Sequence, residues 1–493
     1  MKNIFKDFGQ KTRIFFQKFS NKSKEFWTNH DLLKKFFITI FLICIYLVCT
    51  SIKSPFVRID NPNVINDDTF LGTLNLIGGG GLRQFSLVAI GISPFINASL
   101  IMSLLQTKIF PPIYKLTQAG PEGRKKINII TRILTVIIAI PQALTLTLAL
   151  TRPINQGGSP FIQIETYGMN ENLVTYFLLP LILVGGSLFA LFISEEITNK
   201  GIGNGTSLII FVGIAFQLPQ QFQSAFTYYV TNLDNSSIII GVLKFLTYLI
   251  VYLALIFLIA VVYNAERHVP IQQIGAGRSK KISEMGKLPI KLNPSGVMPM
   301  IFASLFLSLP VLISRVLPWG NSVRVWIESY LGFDKPLGLS LLVLFTFFFS
   351  YIMGLQQSKV DKISEDFAKN STFIPGINPG EDTENYLVGI ILRLSTFSAF
   401  YLVLMVSFQY LMIITLNVPA VIAFGGTGMM ILVSVALETI QQYMVRRKTA
   451  KLSKQKRISR MVSERIAESK KADIFENKFN SKTNNSNEDG LLW

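Results

Sequence analysis

Histidine, cysteine and charge are scarce in this chain of 493 residues, and each scarcity removes a class of function. The two histidines, His30 and His268, stand in basic polar stretches, and the two cysteines, Cys44 and Cys49, share one apolar run. No His/Cys/Asp/Glu set has the spacing of a metal site. Two cysteines build no disulfide framework, and both read as small hydrophobes. Charged residues make up 15% of the chain, against roughly 25% in a soluble domain. Arg393 lies well inside the ninth run and Arg132 near the start of the third, with Glu195, Glu196 and Glu438 at run ends; both arginines are expected to snorkel or to hydrogen-bond a neighbouring helix. Ion-coupled transporters carry acids or histidines inside their spans, so that class fits poorly. No nucleophile–base pair or catalytic carboxylate pair stands out. Gly78, Gly79, Gly80 and Gly81 lack the Lys-Ser/Thr of a phosphate-binding loop. An enzyme reading and a cofactor therefore have no residues to carry them.

What is present is apolar length. Half of the chain is hydrophobic and its mean hydropathy is +0.43. A helical span needs roughly 20 mostly apolar residues. Ten runs qualify: Leu32–Ile52, Phe85–Leu105, Ile127–Leu150, Leu173–Ile193, Ser207–Tyr228, Ile238–Tyr263, Val297–Leu317, Leu337–Leu355, Tyr386–Ile414 and Val421–Ile440. The second and fifth are interrupted by Gly, Pro, Asn or Gln, and the piece Phe70–Leu82 is too short to span and reads as re-entrant. The expected fold is an all-α polytopic membrane protein of ten transmembrane helices. It divides into a basic N-tail (1–31), an N-terminal half (32–228), a C-terminal half (229–440) and a basic tail (441–493). Five-plus-five arrangements are often inverted repeats with function at the interface, although the halves share no sequence identity.

Charge sets the orientation. Net charge is +18, and 37 of the 47 Lys+Arg fall on the side of the termini against 8 on the other. The positive-inside rule then makes both termini cytoplasmic. The basic N-terminal stretch has no small-residue cleavage pattern, so the first run is expected to be retained. The long polar loops 264–292 and 356–385 are cytoplasmic in this topology. The tail begins helical and basic ("VRRKTAKLSKQKRISR") and ends in a polar stretch whose composition favours disorder. Basic loops of this kind suit lipid headgroups or nucleic-acid phosphates.

Ile92 and Ile96 are four apart, as are Ile210 and Ile214, which places each pair on one helix face. Such spacing is ordinary in packed helices. Beside an interrupted, uncharged span it also fits an apolar constriction that closes a pore by excluding water.

Several stretches together resemble one family. "GISPFINASLIMSLL", "GPEGRKKINIITRILT", "EEITNKGIGNGTSLIIFVGI", "ERHVPIQQ", "KLPIKLNPSGVMPMIFASLF", "FIPGINPGEDTENYL" and "AFGGTGMMILVSVALETIQQ" are similar, in order, to segments of the SecY protein-conducting channel, from about residue 30 to 445. The resemblance implies a two-halved channel in the plasma membrane, with a lateral gate between the second and seventh spans. A plug would comprise about Phe70 to Leu82, with Phe70, Leu71, Leu74, Leu76, Ile77 and Leu82 apolar. Gly78–Gly81 would hinge the plug to the gate helix. The waist ring implied by motif is Ile92, Ile96, Ile210, Ile214, Ile301 and Ile431. The gate would set Ser93–Leu104 against Gly296–Leu305, with Pro94, Asn97, Met298 and Pro299. The two prolines are expected to remove donors inside the gate helices and loosen them. The implied partners are SecE-like and SecG-like subunits, a SecA-like ATPase, the translating ribosome, unfolded polypeptide and lipid. Arg267, His268, Lys280, Lys281, Gly376 and Asn378 would meet the ribosome or motor. Asn378 departs from the family, which has arginine there, and His268 replaces a second arginine. Two other classes stay open: an inverted-repeat transporter, and an insertase without a through-pore.

Overall fold

The structure is a computed structural model that describes residues 30–59, 75, 78–106, 110–151, 161–231, 238–273, 286–314, 316–318, 320–332, 335–416, 418–419, 422–423 and 426–488. Its elements follow in chain order. Helix α1 is His30–Ser51 and strand β1 Val57–Ile59; turns over 79–92 lead to α2, Ser93–Leu105. Helix α3 is Pro111–Gln118, α4 Gly120–Thr151 and strand β2 Ile162–Ile164. A helical turn and a π-helical turn, Glu171–Leu173 and Val174–Leu178, run into α5, Leu179–Lys200. Then come α6, Gly205–Phe226, α7, Ile238–Asn264, and strands β3, Glu266–Gln273, and β4, Gly286–Lys291. The remainder is α8, Met298–Ser314, α9, Ser322–Tyr330, α10, Pro336–Ser358, and α11, Val360–Lys369. After these lie strand β5, Thr372–Phe373, α12, Glu381–Leu416, and α13, Gly426–Glu488.

The chain divides into two units. The larger, Lys34–Leu437, holds the apolar helices; the smaller combines Met1–Leu33 with Glu438–Trp493. In the smaller unit the backbone is helical as far as Glu488, through the polar stretch for which composition favours disorder. Gln442 there donates to Glu438 Oε1 at 3.1 Å, and Arg460 lies 4.0 Å from Glu464.

Among the described residues, seven helices are long and apolar enough to cross a membrane. The second and seventh expected spans are shorter helices of 13 and 17 residues. At about 1.5 Å per residue, α2 covers roughly 20 Å, less than the ~30 Å hydrocarbon core. Residues 85–92, mostly in turns before α2, make up the rest of this interrupted run. Two prolines behave otherwise than the sequence suggested. Pro94 stands in the first turn of α2, and Pro299 is the second residue of α8. First-turn N–H groups have no intrahelical acceptor, so a proline there removes nothing. Both set where a helix starts, and it is Pro310 that interrupts α8 from within.

Two antiparallel sheets accompany the helices. One pairs β1 with β2; the other has the order β4-β3-β5. In the second, β3 joins the two long polar loops: it pairs with β4 through Arg267↔Ile290 and His268↔Pro289, and with β5 through Gln272↔Phe373. A separate small core of Val269, Val360, Ile374, Leu387, Ile390, Ile391 and Leu394 sits under this sheet. The two loops thus form one packed platform.

Candidate functional site

The glycine run does not hang loose. Gly79 and Gly80 have φ of +92° and +91°, conformations that are cheap only for glycine. The Gly80 N–H donates to Asn75 O at 2.8 Å, and Asn75 Oδ1 accepts from Leu82 N at 3.0 Å and Arg83 N at 3.3 Å. From α1, the buried Tyr46 hydroxyl lies 3.1 Å from Gly78 O and 3.2 Å from Gly79 O. On the other side, a Cβ on Gly213 of α6 would come within 2.4 Å of the Gly79 carbonyl carbon. A Cβ on Gly91, whose φ is +58°, would meet Gly78 O at 1.6 Å. The expected hinge is therefore, in this structure, a turn clamped between α1, α6 and the start of α2. Of the expected plug residues, Leu82 is fully buried. Phe70, Leu71, Leu74, Leu76 and Ile77 lie outside the described residues.

The six isoleucines all belong to the main apolar core, which gathers buried side chains from most of the helices. Ile92 precedes α2 and Ile96 lies in it; Ile210 and Ile214 are in α6, Ile301 in α8 and Ile431 in α13. All six are buried. Among the described residues of α2, α6 and α8, no charged side chain is buried. An apolar set of this kind can exclude water.

Helices α2 and α8 touch. Pro94, Asn97 and Pro299 are buried, while Met298 is exposed. Ser93 Oγ accepts from Gln142 Nε2 of α4 at 2.8 Å. At the far end of α2, Gln356 of α10 donates to the Ser103 carbonyl. Close by in sequence, Tyr114 of α3 donates to Asp361 Oδ2 of α11 at 3.2 Å, and Lys362 Nζ to Thr117 O at 3.5 Å. These bonds tie the chain's first half to its second at this end. Arg132, expected to snorkel or to bond a neighbouring helix, makes a bidentate pair with Glu195 of α5 at 2.8 and 2.6 Å; Arg393 is exposed.

The platform presents Arg267 and His268 as exposed residues of its central strand. Gly376 sits at an exposed turn with φ +85° and nothing within 4 Å of a Cβ. Asn378 Nδ2 donates to Asp382 Oδ2 at 3.0 Å, and Thr383 donates to Asn378 O at 2.8 Å. Nearby, the hydrogen bond from Lys369 holds the Glu365 carboxyl below its ordinary range. Lys291 Nζ stands 4.2 Å from the centre of the Tyr263 ring, a cation–π contact. Lys280 and Lys281 lie outside the described residues.

Tyr46, Gly213 and the β3–β5 pairing are the contacts that reading the sequence missed. A tyrosine within an apolar run was the available signal for the first, since a buried phenol usually has a partner.

Comparison with known proteins places this geometry. The SecY family model matches residues 86–440. The protein translocase subunit SecY of Mycoplasma capricolum is 36% identical over 452 residues, covering 90% of this chain and 91% of that protein. The Bacillus subtilis protein of the same name is 31% identical over 415 residues, covering 84% and 94%. Among solved structures, one described as a protein conducting channel superposes with a TM-score of 0.60 at 17% identity, covering 84% of this chain and 93% of the other. Sec61 in a canine ribosome–channel complex gives 0.55 at 17% identity, with coverages of 84% and 93%. At such identity the structures speak for the fold alone, which is that of these channels, while the sequence matches are long and collinear. The chain belongs to the SecY family.

Proposed function

We propose that this chain is the central pore subunit of a Sec-type translocase. It would be a passive channel for unfolded polypeptide across the plasma membrane, with a lateral exit for apolar segments into lipid. The observation that carries this reading is the SecY family match over residues 86–440, and the burial of Ile92, Ile96, Ile210, Ile214, Ile301 and Ile431 in the main apolar core, in helices with no buried charge, supports it. A conduit for arbitrary sequences must bind none of them tightly, and an apolar constriction that dewets limits ion leak while yielding to a passing chain. The contact of α2 with α8 fits a gate between the halves. A segment apolar enough would leave through it because lipid solvates it better than the pore does.

Ten spans follow if the short helices α2 and α8 and the interrupted helix α6 are added to the seven long ones. With ten, the Lys/Arg bias keeps both termini cytoplasmic and puts the β4-β3-β5 platform on that side. The segment 70–82 would then serve as plug, with the clamped turn Gly78–Gly81 as its attachment. Energy would come from outside: a SecA-like ATPase or the ribosome acting on the platform, with SecE-like and SecG-like subunits completing the complex. The ribosome-bound channels among the structural relatives and the exposed Arg267 support that surface. The test is site-specific crosslinking from Ile210→Cys or Ile301→Cys to a stalled nascent chain. Adducts at both positions, absent at the exposed Phe348 of α10, are expected; equal adducts at all three would remove the pore from this waist.

A further inference from the structure

Arg324 is the one charged side chain among the described residues that is buried. It belongs to α9, the nine-residue helix SVRVWIESY between α8 and α10. Its charge is turned inward and most of its apolar side chains outward, although Ile327 packs against the core. Arg324 is 2% exposed, whereas Val323 is 55%, Val325 53%, Trp326 51% and Tyr330 52%. A helix on an aqueous surface turns its charge outward and its apolar stripe inward.

The inward charge is compensated. Arg324 Nε donates to Glu328 Oε1 at 3.1 Å, one turn along, and its NH1 group to Leu317 O at 2.9 Å. Asn321 caps the helix by accepting from Val323 N at 3.0 Å. The fold therefore holds this orientation with specific bonds. Val323, Trp326 and Tyr330 follow i, i+3, i+7 and share one face. The Trp326 and Tyr330 rings lie 5.8 Å apart on it. The adjoining helices are apolar outward too, with Phe306, Leu309 and Ile313 exposed on α8 and Leu337, Leu344 and Phe348 on α10. Helix α9 touches both α8 and α10.

We propose that α9 is an interfacial anchor. Its Val323–Trp326–Tyr330 face lies against the acyl chains at the headgroup boundary of the bilayer, with the indole N–H and phenol O–H at headgroup level. Amphipathic aromatic side chains concentrate in that layer because one end is apolar and the other wet. Lipid is the occupant that fits, because α9 packs against α8 and α10, whose exposed apolar residues lipid must cover if those helices are spans. The inference rests on that reading of the membrane topology. Its consequence is mechanical: the end of α8 beside α9 is tethered to the bilayer surface, so gate motion of α8 is largest at the Met298 end.

The experiment is spin-label accessibility in the complete complex reconstituted in liposomes. Cys44 and Cys49 are replaced by serine, and single labels are placed, in separate variants, at Val323→Cys and Tyr330→Cys on the α9 face and, as a mid-span reference, at Phe348→Cys; Trp326 stays in place. Labels on α9 are expected to collide more with oxygen than with a water-soluble nickel chelate, at a shallower depth than the Phe348 label. Labels that collide mainly with the chelate would overturn the anchor, leaving α9 in water. Labels shielded from both would overturn it in favour of a covering partner chain. A Phe348 label open to the chelate would bring down the span reading first, and the anchor with it.

Discussion

Two positive-φ glycines mark how differently the waist and the platform are built. Gly91, at the start of α2, would place a Cβ 1.6 Å from Gly78 O; Gly376, on the platform, would meet nothing within 4 Å. At the waist the partners of a residue are backbone atoms and buried apolar side chains. On the platform they are exposed polar side chains, as in Asn378 with Asp382. Changes at the waist should therefore act through shape and be insensitive to salt. Changes at the platform should leave the fold alone and act through charge.

The sharpest test of this contrast is Gly91→Ala beside Gly376→Ala. Both force alanine into a left-handed conformation, at about 1–2 kcal/mol. Only Gly91→Ala adds overpacking, about 1–3 kcal/mol more. Thermal unfolding of the purified complex should show a large loss for the first and a small one for the second. Equal losses would mean that the turn 78–81 yields freely and is not clamped.

Gly213→Ala comes next. In the middle of α6 the substitution alone favours the helix by up to about 1 kcal/mol, so a stabilised variant is the expectation wherever space is open. Here the added methyl meets Gly79 at 2.4 Å. A net loss of about 1–2 kcal/mol, together with raised resting ion conductance, is the expected result. A stabilised, tight variant would place the turn away from α6.

Tyr46→Phe keeps the ring and deletes the one donor facing Gly78 O and Gly79 O. A loss of about 1 kcal/mol should accompany easier displacement of the turn, read as conductance of the closed channel. If conductance does not move, the phenol serves packing alone.

These three residues also show where the sequence stops being legible. The long helices could be read because about twenty apolar residues in a row have few other fates. The interrupted second run was equally visible, but its prolines were misattributed. Composition shows that a proline is present; only the helix start shows whether its missing N–H matters. The partnership of Tyr46 with glycines more than thirty positions away has no periodic signature. The same holds for β3 with β5, drawn from loops a hundred residues apart. The isoleucine ring is an expectation from motif resemblance alone, since i,i+4 spacing is common to any packed helix. Helix α9 escaped because its alternation of charge and apolar residues makes sense only once inside and outside are known.

On the platform, Arg267→Ala should leave unfolding unchanged and weaken ribosome association in a salt-dependent way. If Arg267 meets a phosphate, the slope of log affinity against log salt falls in magnitude by about one. An unchanged slope would take Arg267 out of the contact and leave the association to other groups of the platform.

The smallest effect on the fold, and the cleanest on function, is expected from Asn378→Arg. The Asn378 amide already reaches Asp382 Oδ2 at 3.0 Å on an exposed turn. A guanidinium there would trade an amide-to-carboxylate hydrogen bond for a surface ion pair, worth about 0–1 kcal/mol. Unfolding should barely move. Any change in motor-driven translocation then reports the partner and not the turn. If this turn is where the motor engages, the arginine should raise its apparent affinity and Asn378→Ala should not. If the two variants behave alike, the tip of this loop lies outside the contact. Engagement then belongs to the β3–β4 hairpin, where the sheet itself holds Arg267 and His268 outward.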